Sequence, residues 1–333
     1  MRQLSKTVGG IALSLLLSVT LAGPAILEAQ VQVPDASDGR WPLQPSSPGN
    51  NTLAPFFEGW YVNEDGTYSL SFGYVNTNLD TLYIPIGENN FLDQAQFDGV
   101  QPTVFFPGRH RGIWSVTLPA DMEDASVWWS LMTQYGHTTR VPGRIGSVAY
   151  ELDWMPRPHG SVTPRVSFDS QSGVGQGPPG IFAERTQAVA VGSPLTLSVN
   201  ATDPSERDQD DARNVSVPLR VVWSQLQGPG PVEYTRHESN PEVEVEEPDS
   251  ATAARIAAAG PAAAAAFRRR RGPPGPQVVP LSEGQGTASV IVTFSVPGEY
   301  LMLAQVDNFA ASDSGTQDQC CWTNGYVRVS VTP

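Results

Sequence analysis

Lysine is almost missing from this chain. Lys6 is the only one in 333 residues, and arginine supplies every other basic side chain. Charge of either sign is scarce, at 16% of residues, and acids outnumber bases 34 to 20. A net charge of −14 excludes a general nucleic-acid binder, which needs a basic surface to neutralise phosphates. It favours solubility and cation binding instead. Catalytic signatures are missing too. The chain has no HExxH, GxSxG or Walker pattern. His110 ("PGRHRG") and His137 ("YGHTT") fall in turn sequences, while His159 and His237 fall in loop-like stretches, so all four read as loop histidines. No helical period of any length appears. Beyond the first thirty residues, no apolar run approaches the roughly 20 residues a membrane helix needs.

Cysteine is nearly absent as well: Cys320 and Cys321 are the only two, and they are adjacent. Neighbouring Cα atoms lie about 3.8 Å apart, whereas a disulfide usually spans about 4.4–6.8 Å. In a strand the two side chains would also point to opposite faces. Three states are open: a strained, reducible vicinal bond that stiffens the loop, two unbonded thiols with one buried, or soft-metal binding or bridging to another chain. Two sulfurs alone make an incomplete zinc site. None of these states requires catalysis.

What the chain does hold is glycine (31), proline (30) and a 40% hydrophobic share, the mix of short strands joined by turns. The first 29 residues join a positive start (Arg2, Lys6), an apolar run Val8–Ala22 and small residues at Ala25 and Ala29. That is the pattern of a secretory signal peptide. The mature protein is therefore expected to be secreted or periplasmic, in an oxidising compartment. Residues 30–51 are polar and proline-rich and read as an exposed lead-in.

Alternation begins after residue 52. "EGWYVN" and "TYSLSFGYVN" flank the turn Glu64–Gly66 and make a hairpin. "TLYIPIG", "TVFFPG", "GIWSVTLP", "ASVWWSLMT" and "GSVAYELDW" follow as further strands. Residues 52–155 are thus expected to form an all-β sandwich. Residues 156–182 are rich in Pro, Gly and Ser and read as a linker. Residues 183–333 return to strand patterns, interrupted at 236–285 by a low-complexity insertion with an acidic run, an alanine run suited to a short helix and Arg268–Arg271, read as a solvated loop. The fold class expected is all-β, with two β-sandwich domains.

Four stretches of the second half, "VGSPLTLSVNATDP", "VVWSQLQGPG", "VTFSVPGEYLMLAQVD" and "GYVRVSVTP", resemble the strand motifs of PKD-type immunoglobulin-like domains. The resemblance covers about residues 183–333 and implies a central strand tryptophan, Trp223, and a "PGxY" corner at Pro297–Tyr300. The first half, through "FFEGWYVNEDGTYSLSFGYVNTN", "IPIGENNF", "QPTVFFPGRHRGIWSVTLP" and "VWWSL", is similar to a recurrent bacterial exported domain of no known activity. The chain departs from a compact PKD-type domain by its acidic and low-complexity insertions.

Two candidate sites follow. Eight tryptophans offer binding aromatics: Trp60, and the adjacent Trp128 and Trp129, of which a strand turns one inward and one outward. Asp203, Asp208 and Asp210, with Asp307 and Asp313 in the last long loop, could converge on calcium, which takes six to eight oxygens from flexible loops; no other cofactor is implied. The leading expectation is a non-enzymatic exported protein of adhesion or recognition type, with a protein or glycan as partner. The alternatives are a carboxylate-dependent glycan hydrolase with its site in the first domain, and a structural spacer. A deep acidic pocket would favour the enzyme and a flat aromatic face would favour binding.

Overall fold

The computed structural model describes residues 52–133, 136–146, 148–152, 161–169, 173–206, 210, 219–241, 250–258, 260, 275–308 and 321–333. Residues 1–29, read as a signal peptide, residues 30–51, read as a lead-in, Arg268–Arg271 and His159 lie outside them. The fold is all-β, built as sandwiches, and contact density groups residues 47–333 as one compact unit.

β1 (Leu53–Val62) and β2 (Tyr68–Asn76) form the expected antiparallel hairpin. β3 (Leu82–Tyr83), β4 (Asn90–Leu92), β5 (Val104–Phe105), β6 (Gly108–Leu118), β7 (Ser126–Met132) and β8 (Thr138–Arg144) complete the first group. They assemble as β1-β2-β6, β4-β7-β8 and a small β3-β5 pair. Alternate residues face inward and close on an aromatic centre. Phe72 stacks on Trp114 at 4.8 Å between centroids, and Trp129 meets Trp114 edge-on at 4.9 Å, a geometry that suits the ring quadrupoles. All three rings are fully buried. "GSVAYELDW" departs from expectation. Val148–Tyr150 is a 3₁₀ turn, and only Glu151 bridges to β1, at Trp60.

The second group is β9 (Arg165–Ser167), β10 (Gly175–Gln176), β11 (Ile181–Phe182), β12 (Gln187–Ala190), β13 (Pro194–Thr202), β14 (Leu219–Gln227), β15 (Val232–Arg236), β16 (Val278–Leu281), β17 (Gln285–Phe294), β18 (Gly298–Asp307) and β19 (Trp322–Thr332). One sheet runs β10-β9-β13-β17-β15, and the facing one runs β11-β19-β18-β14-β16 with β12 also on β19. Taken as A to G in chain order, β9, β13, β14, β15, β17, β18 and β19 give an A-B-E-D sheet over a C-F-G sheet, the order of an immunoglobulin-type sandwich. Trp223 on β14 fills the centre at 0% exposure. Tyr300, at the start of β18, donates from Oη to the Val296 carbonyl at 2.8 Å, the tyrosine corner of that architecture.

Two stretches differ from their composition. The stretch read as a linker carries β9, which pairs with β13, β10, which pairs with β9, and β11, which pairs with β19. Strands of two or three residues leave no periodicity to read; their partners define them. The described parts of the low-complexity insertion contain the helix α1 (Ser250–Ala258) and the edge strand β16 on β14.

The β14-β18-β19 sheet is buried on both faces. Trp223, Met302, Ala304 and Val329 belong to the core of the second sandwich, whereas Leu226, Leu301, Leu303 and Tyr326 belong to the core of the first. Trp322–Val327 are accordingly buried without alternation, and alternation returns at the exposed Arg328. The two strand groups thus share a central layer.

Candidate functional site

The outward side of β4-β7-β8 brings together the exposed Phe91 and Arg140 with the half-buried Trp128 and Pro142. Register decides which residues these are. Leu92 pairs with Trp129, and Trp129 with Val141, so these three turn inward together. Phe91, Trp128, Arg140 and Pro142 therefore turn outward. Phe91 is 38% exposed. It lies across Ser130 from Arg140, and the Arg140 guanidinium sits 4.1 Å from the centre of the Trp128 ring. Asp93 anchors the strand edge: its Oδ1 accepts the Trp128 N–H at 2.8 Å, and its own N–H donates to the Trp128 carbonyl. The result is an outward side on which one exposed ring, Phe91, lies near a half-buried ring, Trp128, that carries a stacked cation.

The other two aromatic candidates turn inward. Trp129 is fully buried and donates from Nε1 to Asn90 Oδ1 at 3.0 Å. Trp60 is 8% exposed, in the core beside Tyr68. Neither can meet a ligand, because the pleat that exposes a neighbour buries them.

A second polar cluster, which sequence reading missed, sits where the strand groups meet. β1 holds one extra residue, Glu58, between the pairs Phe57–Phe72 and Gly59–Ser71. Opposite the single Gly73 of β2, β6 places three residues, Arg111, Gly112 and Ile113, a bulge of two. A bulge re-aims side chains, and here it buries the Glu58 carboxylate to 2% exposure with Arg109 on both oxygens at 3.2 and 3.3 Å. Burial pushes this carboxyl above its ordinary range, while Arg109 and Arg111 pull it back. Gly73 admits it: a Cβ there would lie 2.6 Å from Glu58 Oε1. The bulge carbonyls point into the second sandwich. Gly112 O accepts from Asn324 Nδ2 at 2.7 Å, and Arg111 O from Gln305 Nε2 at 2.8 Å. His110 stacks on Tyr74 at 4.8 Å, and burial lowers its pKa. This is a buried structural junction, with its one carboxylate committed to arginine.

Of the five acidic candidates, Asp203, Asp210 and Asp307 lie among the described residues. Asp208 and Asp313 lie outside the described residues. Asp307 is buried and takes Arg220 Nε and Nη2 on one oxygen at 3.1 and 2.9 Å. Asp203 accepts the Ser205 N–H at 3.1 Å and organises the loop against Val162 and Asn308. Among the described residues, no three His, Cys, Asp or Glu side chains gather as a metal site would require. Cys321 is fully buried and disulfide-bonded. Cys320, the sequence's other cysteine, lies outside the described residues. Among those residues no helix is long and apolar enough to cross a membrane.

No family model and no curated protein matches the chain. Overlays on solved structures include the D00-D0 domain of intimin, at 10% identity over 84% of this chain and 99% of that one with a TM-score of 0.23. A titin structure overlays at 9% identity over 84% and 100%, with a TM-score of 0.19. The Yersinia pseudotuberculosis adhesin InvE overlays at 11% identity over 85% and 59%, with a TM-score of 0.18. At such scores the fold assignment rests on the strand order described above.

Proposed function

We propose that this chain is an exported, non-enzymatic recognition protein that binds a protein partner through the outer face of β4-β7-β8. One observation carries the reading: the stacked Trp128–Arg140 pair, flanked by Phe91 on an open sheet face. Trp and Arg are the side chains most enriched at the energetic centres of protein interfaces. A stack of an exposed arginine on a half-buried tryptophan is worth about 0.5–1 kcal/mol, and more once a partner covers it. A sugar ring would need the tryptophan face that Arg140 occupies, which favours protein over glycan. The buried Glu58, committed to Arg109, supplies no support for hydrolysis.

Beads carrying residues 30–333, as wild type, Trp128→Ala or Arg140→Glu, are compared for retention on cells of the source organism and on protease-treated cells. Retention is expected for the wild type and should fall at least fivefold with either substitution and after protease. Retention that survives both substitutions refutes the face. Retention that survives protease but is lost after periodate oxidation refutes a protein partner.

A further inference from the structure

Strand β13 is paired along its whole length on one side and along a third of it on the other. β17 matches all nine residues Pro194–Thr202, but β9 matches only Asn200, Ala201 and Thr202. Among the described residues, no strand pairs with Leu195–Val199 on the β9 side. Phe168 and Asp169, the next two residues, do not extend that pairing. After Ser167 the backbone bends at Phe168 and Asp169, and β10 returns along the far edge of β9. The facing segment Ala183–Gln187 stays with β19 in the opposite sheet, where Ala183 N–H donates to the Tyr326 carbonyl. Between them runs a groove of about 410 Å³, lined along one side by Thr196–Ser198 and floored by Phe168, Ala183 and Val327. Asp169, Glu184 and Arg185 form its rim.

We propose that this groove is a strand-addition site, in which an extended peptide from a partner protein continues the β9 ladder along Leu195–Val199. The site is distinct from the β4-β7-β8 face. An unpaired strand edge offers alternating N–H and C=O groups that an extended backbone satisfies at no cost in shape. Five residues span about 16 Å at roughly 3.3 Å each and provide on the order of four to six backbone bonds. The apolar floor takes one side chain of medium size from the added strand. Because successive side chains of the added strand point to opposite sides, the apolar floor selects peptides that alternate apolar with polar residues. Antiparallel addition follows from the ladder β9 has already begun.

The test uses the exported protein and labelled octapeptides alternating Val, Ile or Phe with Lys, Arg or Thr. At least one peptide should bind and slow amide exchange within Leu195–Val199 at least tenfold. Methylating one alternate set of its amide nitrogens should weaken binding at least tenfold, while methylating the other set should have little effect. Ala183→Trp, which fills the groove from a partly buried position, should abolish binding with an unchanged circular dichroism spectrum. The proposal is overturned if no peptide binds, if either methylation pattern is equally tolerated, or if Ala183→Trp binds as the wild type does. Protection already present in the free protein, and lost on deleting residues 30–51, would also overturn it by giving the groove to the chain's own lead-in.

Discussion

Gly112 is where the junction between the two sandwiches is most exposed to a single substitution. Its φ is +53°, in the left-handed region, and a Cβ would lie 2.2–2.5 Å from the Trp322 indole. Trp322 is 3% exposed and cannot swing into solvent. Gly112→Ala therefore meets two penalties: about 1–2 kcal/mol for a left-handed L-residue and about 1–3 kcal/mol for overpacking a rigid ring. The sum is about 2–5 kcal/mol. Gly66→Ala separates the two. It has a similar backbone, at φ +80°, and nothing within 4 Å of the new methyl, so it carries the conformational penalty alone. The assay is equilibrium urea unfolding, read by tryptophan fluorescence and far-UV circular dichroism, with coincident transitions as the condition for comparing free energies. Gly112→Ala should be the less stable variant by about 1–3 kcal/mol. In a cycle with Trp322→Ala the two changes should couple favourably by about 1 kcal/mol or more, because removing the indole frees the space the methyl needs. Equal losses at Gly112 and Gly66, or no coupling to Trp322, would refute the claim that the bulge is clamped against β19.

Three further outcomes are expected. Glu58 has its folded-state pKa above the ordinary value of 4.5. Between the two values the folded chain binds more protons than the unfolded one, so this group's contribution to stability rises as pH falls through the folded pKa and is complete below 4.5. The stability difference between wild type and Glu58→Gln, from urea titrations between pH 7 and 4, should therefore shift toward the wild type on acidification; a flat or opposite trend would contradict the buried assignment. Tyr300→Phe removes the bond to the Val296 carbonyl and should destabilise by about 1 kcal/mol in the same assay, with a change below about 0.3 kcal/mol excluding the tyrosine corner as a stabilising element. Intact-mass analysis of the exported protein should give a monomer that takes up two alkyl groups only after reduction, and a reducible dimer would show that Cys321 is bonded to another chain.

Much of the fold was legible because side-chain period survives in sequence. Tyr68, Leu70, Phe72 and Tyr74 announce β2, and Val290, Val292 and Phe294 announce β17. The adjacent tryptophans were legible as a pair, one inward and one outward, but not as to which. That choice depends on pairing with Leu92 and Val141, and register is a property of partners distant in the chain. Short strands failed for the same reason: Gly175–Gln176 is a strand only because Val166 and Arg165 lie beside it. The buried polar groups left no signal. Asn90 holds the Ile84 and Pro102 carbonyls and the Trp129 indole from a fully buried position, yet an asparagine between loop-like residues reads as a turn. Glu58 was invisible because a bulge, not an alternation, turns it inward.

The shared central layer constrains where recognition can take place. A free immunoglobulin-type sandwich would offer the outer faces of both sheets. Here the outer face of β14-β18-β19 is closed by the first strand group, through Leu226, Leu301, Leu303 and Tyr326 and through the bonds of Gln305 and Asn324 to the β6 bulge. Gln227 extends the closure by donating to the Gln101 and Gly99 carbonyls. Burying that layer on both sides fixes the two groups as one body, so a partner meets a rigid surface and the ordering penalty of a hinged pair is avoided. Two surfaces remain for the proposed binding. One is the Trp128–Arg140 face, rich in side-chain character and suited to a folded surface. The other is the edge of β13, rich in backbone character and suited to an extended one. The two call for partners of different kinds, so substitutions at Trp128 and at Ala183 should impair separate interactions, each leaving the other intact.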